Sequence, residues 1–233
     1  MNLRGGNGPL LIGHKGAGAL EPENTLASLA RAVELGCDLV EFDVLEVDGR
    51  LVLGHSLPEL APHPASFDEA LELLGASSVG LLVDLKWHGY EASTVEAIRR
   101  HGLVERVLVS SCHAHSVLEV AGLAPELARG ITYPYDRHGF SERRGLAPLT
   151  AAALITLRTA LPARIDWLLD RAGASVAVLY HAVISPAVVE RAHERDAAVL
   201  AWTVDEMADL ERVIEAGVDG VVTNDPRIFP RTH

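Results

Sequence analysis

A chain of 233 residues, 48% of them hydrophobic, is long enough to bury one sizeable core and short for two ordinary domains. Twenty basic against 32 acidic side chains give a formal charge of -12, the wrong sign for sequence-independent attraction to a phosphate backbone, so nucleic acid is excluded as a partner. Two cysteines, Cys37 and Cys112, are too few for a disulfide framework, and no run of about 18 apolar residues suggests a membrane span.

The N-terminal stretch has no apolar region of signal-peptide length, so a soluble cytoplasmic protein is expected. Short apolar runs at 10–13, 38–44, 80–86, 105–110, 127–133, 176–180, 198–204 and 218–223 read as eight strands. They alternate with segments of helical period, which makes the fold class α/β with a parallel sheet. In the first helix Thr25 caps, Leu26, Leu29, Ala30 and Val33 form one face, and Gly36 stops it. After the second strand, Asp48-Gly49 turns a hairpin that ends at His55. The helix before the last strand repeats the logic, with Asp205 as cap, Leu210, Val213 and Ile214 on one face, and Gly217 as terminator. No stretch reads as a linker, so residues 1–233 are expected to form one domain, a (β/α)8 TIM barrel, with an open doubly wound sheet as the alternative.

A parallel strand buried on both faces should be continuously apolar, yet the second strand carries Glu41 and Asp43. Two residues apart, they point to one face and repel unless a cation or a proton lies between them. The third strand repeats the pattern with Asp84 and Lys86. Three carboxylates at neighbouring strand ends suit a hard divalent cation such as Mg²⁺, Ca²⁺ or Mn²⁺. A buried ion-pair network, with Lys86 neutralising Asp43 or Asp84, is the competing reading. His14 ends the first strand and His55 the hairpin, beside the acidic pair in sequence, which marks both as proton-transfer groups. The chain's only two lysines, Lys15 and Lys86, both fall among these residues as candidate phosphate contacts. Trp202, His113 and Tyr180, at other strand ends, are candidate substrate contacts.

These segments resemble the glycerophosphodiester phosphodiesterases: His14-Lys15-Gly16, Pro22-Glu23-Asn24-Thr25, Glu41-Phe42-Asp43-Val44, Asp84-Leu85-Lys86, Ala201-Trp202-Thr203-Val204-Asp205 and the run from Asp219 to Pro226. The resemblance implies hydrolysis of a small-molecule glycerophosphodiester to sn-glycerol 3-phosphate and an alcohol, by a monomer or small homo-oligomer. It makes His14 and His55 the general acid/base pair, Glu41, Asp43 and Asp84 the metal ligands, and Lys86 a phosphate contact. Three positions depart from the family: Lys15 replaces an arginine, Ser56 an aspartate and Asp84 a glutamate. Only about 25 residues, Ser56 to Gly80, follow the second histidine before the third strand, so the inserted segment is short.

No Ser, Thr or Cys has the flanks of an activated nucleophile. The glycerol 2-hydroxyl is therefore the expected attacker, through a cyclic 1,2-phosphate, with direct attack by water as the competing route. His113 and His115 resemble the paired histidines of zinc-dependent amidohydrolase barrels, the enzymatic alternative. A catalytically silent phosphodiester-binding barrel is the non-enzymatic one.

Overall fold

The computed structural model describes residues 1, 3, 4, 6, 8–135 and 147–229, without the side chains of 147–150. Among the described residues nine strands form one sheet: β1 (Leu10–Gly13), β2 (Leu39–Val47), β3 (Arg50–Leu53), β4 (Gly80–Leu85), β5 (Val107–Ser111), β6 (Ala128–Tyr133), β7 (Val176–Tyr180), β8 (Ala198–Trp202) and β9 (Gly220–Thr223). All except β3 run parallel to their neighbours, and β1 pairs with both β9 and β2, which closes the eight parallel strands into a barrel. Closure rules out the open doubly wound sheet. β3 is an antiparallel extension that folds back on the second half of β2, with Val44 opposite Leu53. It is the expected hairpin, with Asp48 and Gly49 both at positive φ in its turn.

Around the barrel lie α1 (Leu26–Glu34), α2 (Phe67–Gly75), α3 (Glu91–Arg100), α4 (Ala114–Leu123), α5 (Ala147–Ala160), α6 (Ile165–Ala172), α7 (Pro186–His193) and α8 (Met207–Glu215). None among the described residues is long and apolar enough to cross a membrane. Thr25 caps α1 as its sequence suggests, in a reciprocal capping box with Ser28. Of the expected face Leu29 is buried and Leu26 and Val33 pack partly buried on the core, and Ser28 and Ala32 are buried beside them. Ser28 is tolerated there because its hydroxyl donates to the Lys15 carbonyl at 2.8 Å.

Two expectations at α8 do not hold. Glu206, not Asp205, is the N-cap residue, and Ile214 is exposed while Leu210 and Val213 are buried. The short insertion is also smaller than the interval suggested. Phe67–Gly75 is the ordinary crossover helix α2, so only Ser56–Ser66, with a 3-10 turn at Leu57–Glu59, is added to the barrel.

The inward-facing side chains explain where the site lies. Ile12, Leu39, Leu82, Leu108, Leu200 and Val222 belong to one buried apolar cluster inside the barrel. Two residues further along the same faces stand His14, Glu41, Asp84, Ser110, Trp202 and Asn224. The interior thus changes from apolar to polar at the C-terminal strand ends, the functional face of this fold.

Candidate active site

Adjacent register positions on β2 and β4 put Asp43 beside Asp84, and Asp84 lies beside Ser110 of β5. Glu41, Asp43 and Asp84 are all buried, and each offers a carboxylate oxygen within 4.8 Å of the others. Lys86 Nζ sits 2.7 Å from Asp43 Oδ1 and 2.6 Å from Asp84 Oδ2. Both readings of the sequence are thus partly realised, since the ion-pair network exists alongside the carboxylate cluster. Charge decides what it leaves open: fully ionised, three carboxylates against one ammonium would put two surplus negative charges in a buried volume.

Electrostatics divides the carboxylates. Burial and the nearby Asp43 charge push Glu41 well above the usual carboxylate range. Burial acts the same way on Asp43, but Lys86 and the hydrogen bond to His55 outweigh it and hold Asp43 well below that range. Burial disfavours the Lys86 ammonium, yet Asp43, Asp84 and Glu41 together keep it charged far above the ordinary lysine value. Asp43 Oδ1 accepts no hydrogen bond, its approach to Lys86 being an ion pair only. A hard, all-oxygen donor set of three buried carboxylates served by a single ammonium fits a divalent cation.

Both candidate histidines have one ring nitrogen fixed. His55 Nδ1 is 3.0 Å from Asp43 Oδ2, which as a carboxylate only accepts, so Nδ1 carries the proton and Nε2 is left for chemistry. His14 Nδ1 is 2.6 Å from Asn224 Oδ1. The Asn224 amide cannot be turned round, because its Nδ2 donates to Asp205 Oδ2 at 2.7 Å and its backbone N–H to Asp205 Oδ1 at 2.8 Å. His14 therefore also has Nδ1–H, and its Nε2 faces Glu41 Oε2 at 4.0 Å. Burial lowers the His14 pKa; Asp43 opposes this and Lys15 reinforces it, so the ring is a neutral base at neutral pH.

The turn after β1 brings these groups together. Lys15 and Gly16 are both at positive φ, and the Lys15 N–H donates to Glu41 Oε2 at 2.7 Å. Only glycine fits at position 16, where an added Cβ would collide with the Ser28 carbonyl. Asn24, also left-handed, braces Asp43 from both sides: its Nδ2 donates to Oδ2 at 3.0 Å and its Oδ1 accepts the Asp43 N–H at 2.9 Å. Ser110 and Thr132 hydroxyls donate to Asp84 Oδ1 at 2.5 and 3.3 Å, fixing the shorter side chain at that position.

Other sequence candidates are dispersed. Lys15 Nζ pairs with Glu23 at 2.7 Å, so its ammonium is not among the carboxylates of the cluster, and Lys86 is held by two of them. Trp202 and Tyr180 form an aromatic pair at 5.4 Å, with Trp202 Nε1 donating to the Val178 carbonyl. His113 belongs to a different group, edge-on to Trp87 and Tyr135, each at 5.2 Å. His115 is 81% exposed in its side chain and pairs with Glu119, while His113 lies among aromatic rings, so the two do not form a zinc-binding pair. Neither cysteine is in a disulfide; Cys37 is buried and Cys112 partly so.

Sequence reasoning missed Asn24, Asn224, Asp205, Ser110 and Thr132 as site residues. Asn24, Asp205 and Asn224 lie inside segments that carried the family resemblance, which was the available signal. Ser110 and Thr132 gave none.

Comparison with known proteins agrees with this geometry. A family model described as "Glycerophosphoryl diester phosphodiesterase family" matches residues 14–88 and 92–228. A glycerophosphodiester phosphodiesterase of Caldanaerobacter subterraneus subsp. tengcongensis is 29% identical over 93% of this chain and 94% of its own length. Among solved structures, a glycerophosphodiester phosphodiesterase from Parabacteroides distasonis superposes with a TM-score of 0.74 at 20% identity, covering 96% of this chain and 95% of the other. A phosphodiesterase from Oleispira antarctica, solved with the product sn-glycerol-3-phosphate, superposes at 0.72 with 22% identity and 94% coverage of each chain.

Proposed function

The chain belongs to the glycerophosphoryl diester phosphodiesterase family and is an enzyme of that class, and on this premise we propose that it hydrolyses glycerophosphodiesters to sn-glycerol 3-phosphate and an alcohol by metal-assisted acid–base catalysis. The observation that carries the reading is the pair of histidines whose Nδ1 atoms are tied down beside a buried three-carboxylate cluster, which leaves two Nε2 atoms for proton transfer.

His14, buried and neutral, is the base. Its Nε2 takes the proton of the glycerol 2-hydroxyl as the oxygen bonds to phosphorus. His55 is the acid: its Nε2–H protonates the departing alcohol oxygen as that P–O bond breaks, and Asp43 counters the positive charge on the ring. The product is a cyclic 1,2-phosphate, which water opens with the histidine roles reversed. The internal hydroxyl gains the high effective molarity of an oriented intramolecular attack. Glu41, Asp43 and Asp84 would hold the divalent cation, Mg²⁺, Ca²⁺ or Mn²⁺, which when bound supplies Lewis acidity to the reacting oxygens. Lys86, beside Asp43 and Asp84, would be a phosphate contact, and Lys15, paired with Glu23, a second. The oxygen-only cluster favours this reading over an imidazole-rich zinc hydrolase.

The test is release of glycerol 3-phosphate from glycerophosphoethanolamine. His14→Ala and His55→Ala are each expected to lower kcat by about 10²- to 10⁴-fold with little change in melting temperature. Wild-type turnover in either variant would remove that histidine from the chemistry. The 2-deoxy analogue of the same substrate separates the two routes: it should be inert, and hydrolysis at a similar kcat would replace the cyclic route by direct attack of water.

A further inference from the structure

We infer that the alcohol half of the diester binds in the cleft between the segment after His55 and the turn after β4, and that this subsite selects an uncharged apolar alcohol, alkyl or aryl, over a cationic amino alcohol. The inference rests on the proposed role of His55 as the acid that protonates the leaving oxygen, because the first carbons of the alcohol must then lie within reach of that ring.

Two clefts border His55, whose side chain is 47% exposed. The first, of about 660 Å³, also reaches Lys86 and is walled by Leu45, Leu57, Pro58, Trp87 and Tyr90. That volume suits a small ligand. Leu57 and Trp87 are 64% and 53% exposed, so two large apolar side chains left in water meet at the mouth of one cavity. The wall is preformed: Tyr90 Oη accepts from the Trp87 N–H at 2.9 Å and donates to the Val44 carbonyl at 2.8 Å. The Trp87 ring stacks on His88 at 5.1 Å and meets the edge of His113. Little ordering remains for a ligand to impose.

Wall composition decides between the clefts. The first is lined mainly by apolar side chains, with Glu46 as its one carboxylate, and the Lys86 ammonium at its inner end is already paired with Asp43 and Asp84. The second cleft, about 630 Å³, carries Glu23, Glu59 and Glu69 and has the composition of an ammonium trap. Two of those charges are already engaged. Glu23 is paired with Lys15, and Glu69 Oε2 accepts the Ser66 N–H and hydroxyl at 2.8 and 2.6 Å as part of the α2 cap. Glu59 alone remains, matching Glu46 in the first cleft, so the apolar wall and the approach to Lys86 favour the first cleft as the alcohol subsite.

The experiment uses two uncleavable ligands, the sn-glycerol 3-esters of heptylphosphonic and 3-aminopropylphosphonic acid, in which carbon replaces the bridging oxygen on the alcohol side. They match a hexyl and an ethanolamine diester. Calorimetry on the full chain with Mg²⁺ should find the heptyl ligand bound at least about tenfold more tightly, as burial of several methylenes requires. Leu57→Ser and Trp87→Ala, both at exposed positions, should each bring that ratio to about threefold or less. Equal or tighter binding of the aminopropyl ligand, no measurable binding of either, or a ratio unmoved in both variants overturns the proposal. The ligands are not turned over, so an intact preference without glycerophosphodiester hydrolysis would sink the hydrolase reading alone, and hydrolysis with a flat preference would sink this one alone.

Discussion

The chemistry of His14 depends on a residue 210 positions away, since Asn224 fixes its tautomer and Asp205 fixes Asn224. Asn224→Leu keeps the size and removes the acceptor. It should lower kcat by about 10- to 100-fold, the kinetic equivalent of one lost buried hydrogen bond, and alter the pH profile while KM changes little. An unchanged profile would make Asn224 a packing residue. The sign of the wild-type profile follows from His14. Burial lowers its folded pKa, so the neutral ring's contribution is complete above the unfolded value and is lost as pH falls through the folded one. The acid limb of kcat/KM should therefore lie below about 6.5, the ordinary histidine value. Glu41, Asp43, Asp84 and Lys86 were legible in the sequence because charge inside an apolar strand violates a rule. Asn24 and Asn224 were not, because a neutral amide in a loop violates nothing and its partner is set by tertiary contact.

At the scale of elements, the strands and α1 follow their periodicity closely, and the departure at the α8 cap has an identifiable cause. Asp205 has the position and chemistry of a helix cap, yet Asn224 and Thr223 claim its oxygens, leaving Glu206 at the α8 N-terminus without a side-chain cap bond. Function took precedence over local propensity there. The turn from His14 to Gly16 is the element on which the site hangs, because it aims His14 and donates the Lys15 N–H to Glu41. Gly16→Ala would drive a methyl into the Ser28 backbone at a φ of +85°. It should cost about 2–3 kcal/mol of stability and most of the activity, read as a drop in melting temperature alongside lost turnover. Gly49→Ala is the control: it is also at positive φ, but nothing lies within 4 Å of its added Cβ, so its loss of stability should be smaller. Equal losses would mean that the close approach at Gly16 is not what constrains the turn.

On the scale of the whole molecule, periodicity revealed eight strands but not that they close, because the pairing of β1 with β9 joins opposite ends of the chain and leaves no local mark. Closure converts scattered strand ends into one face, where Glu41, Asp43 and Asp84 converge inside a protein of charge -12. Such a molecule repels a phosphodiester at long range and can receive it only where the acidic cluster is reversed in sign by a cation. The site we propose is thus metal-dependent and built on three carboxylates with one ammonium already among them. The most direct test is turnover of glycerophosphoethanolamine before and after treatment with EDTA. Activity should vanish in the chelator and return with Mg²⁺, Ca²⁺ or Mn²⁺; full turnover in metal-stripped protein would rule out a metal-dependent site and leave Lys86 as the counter-charge of the cluster.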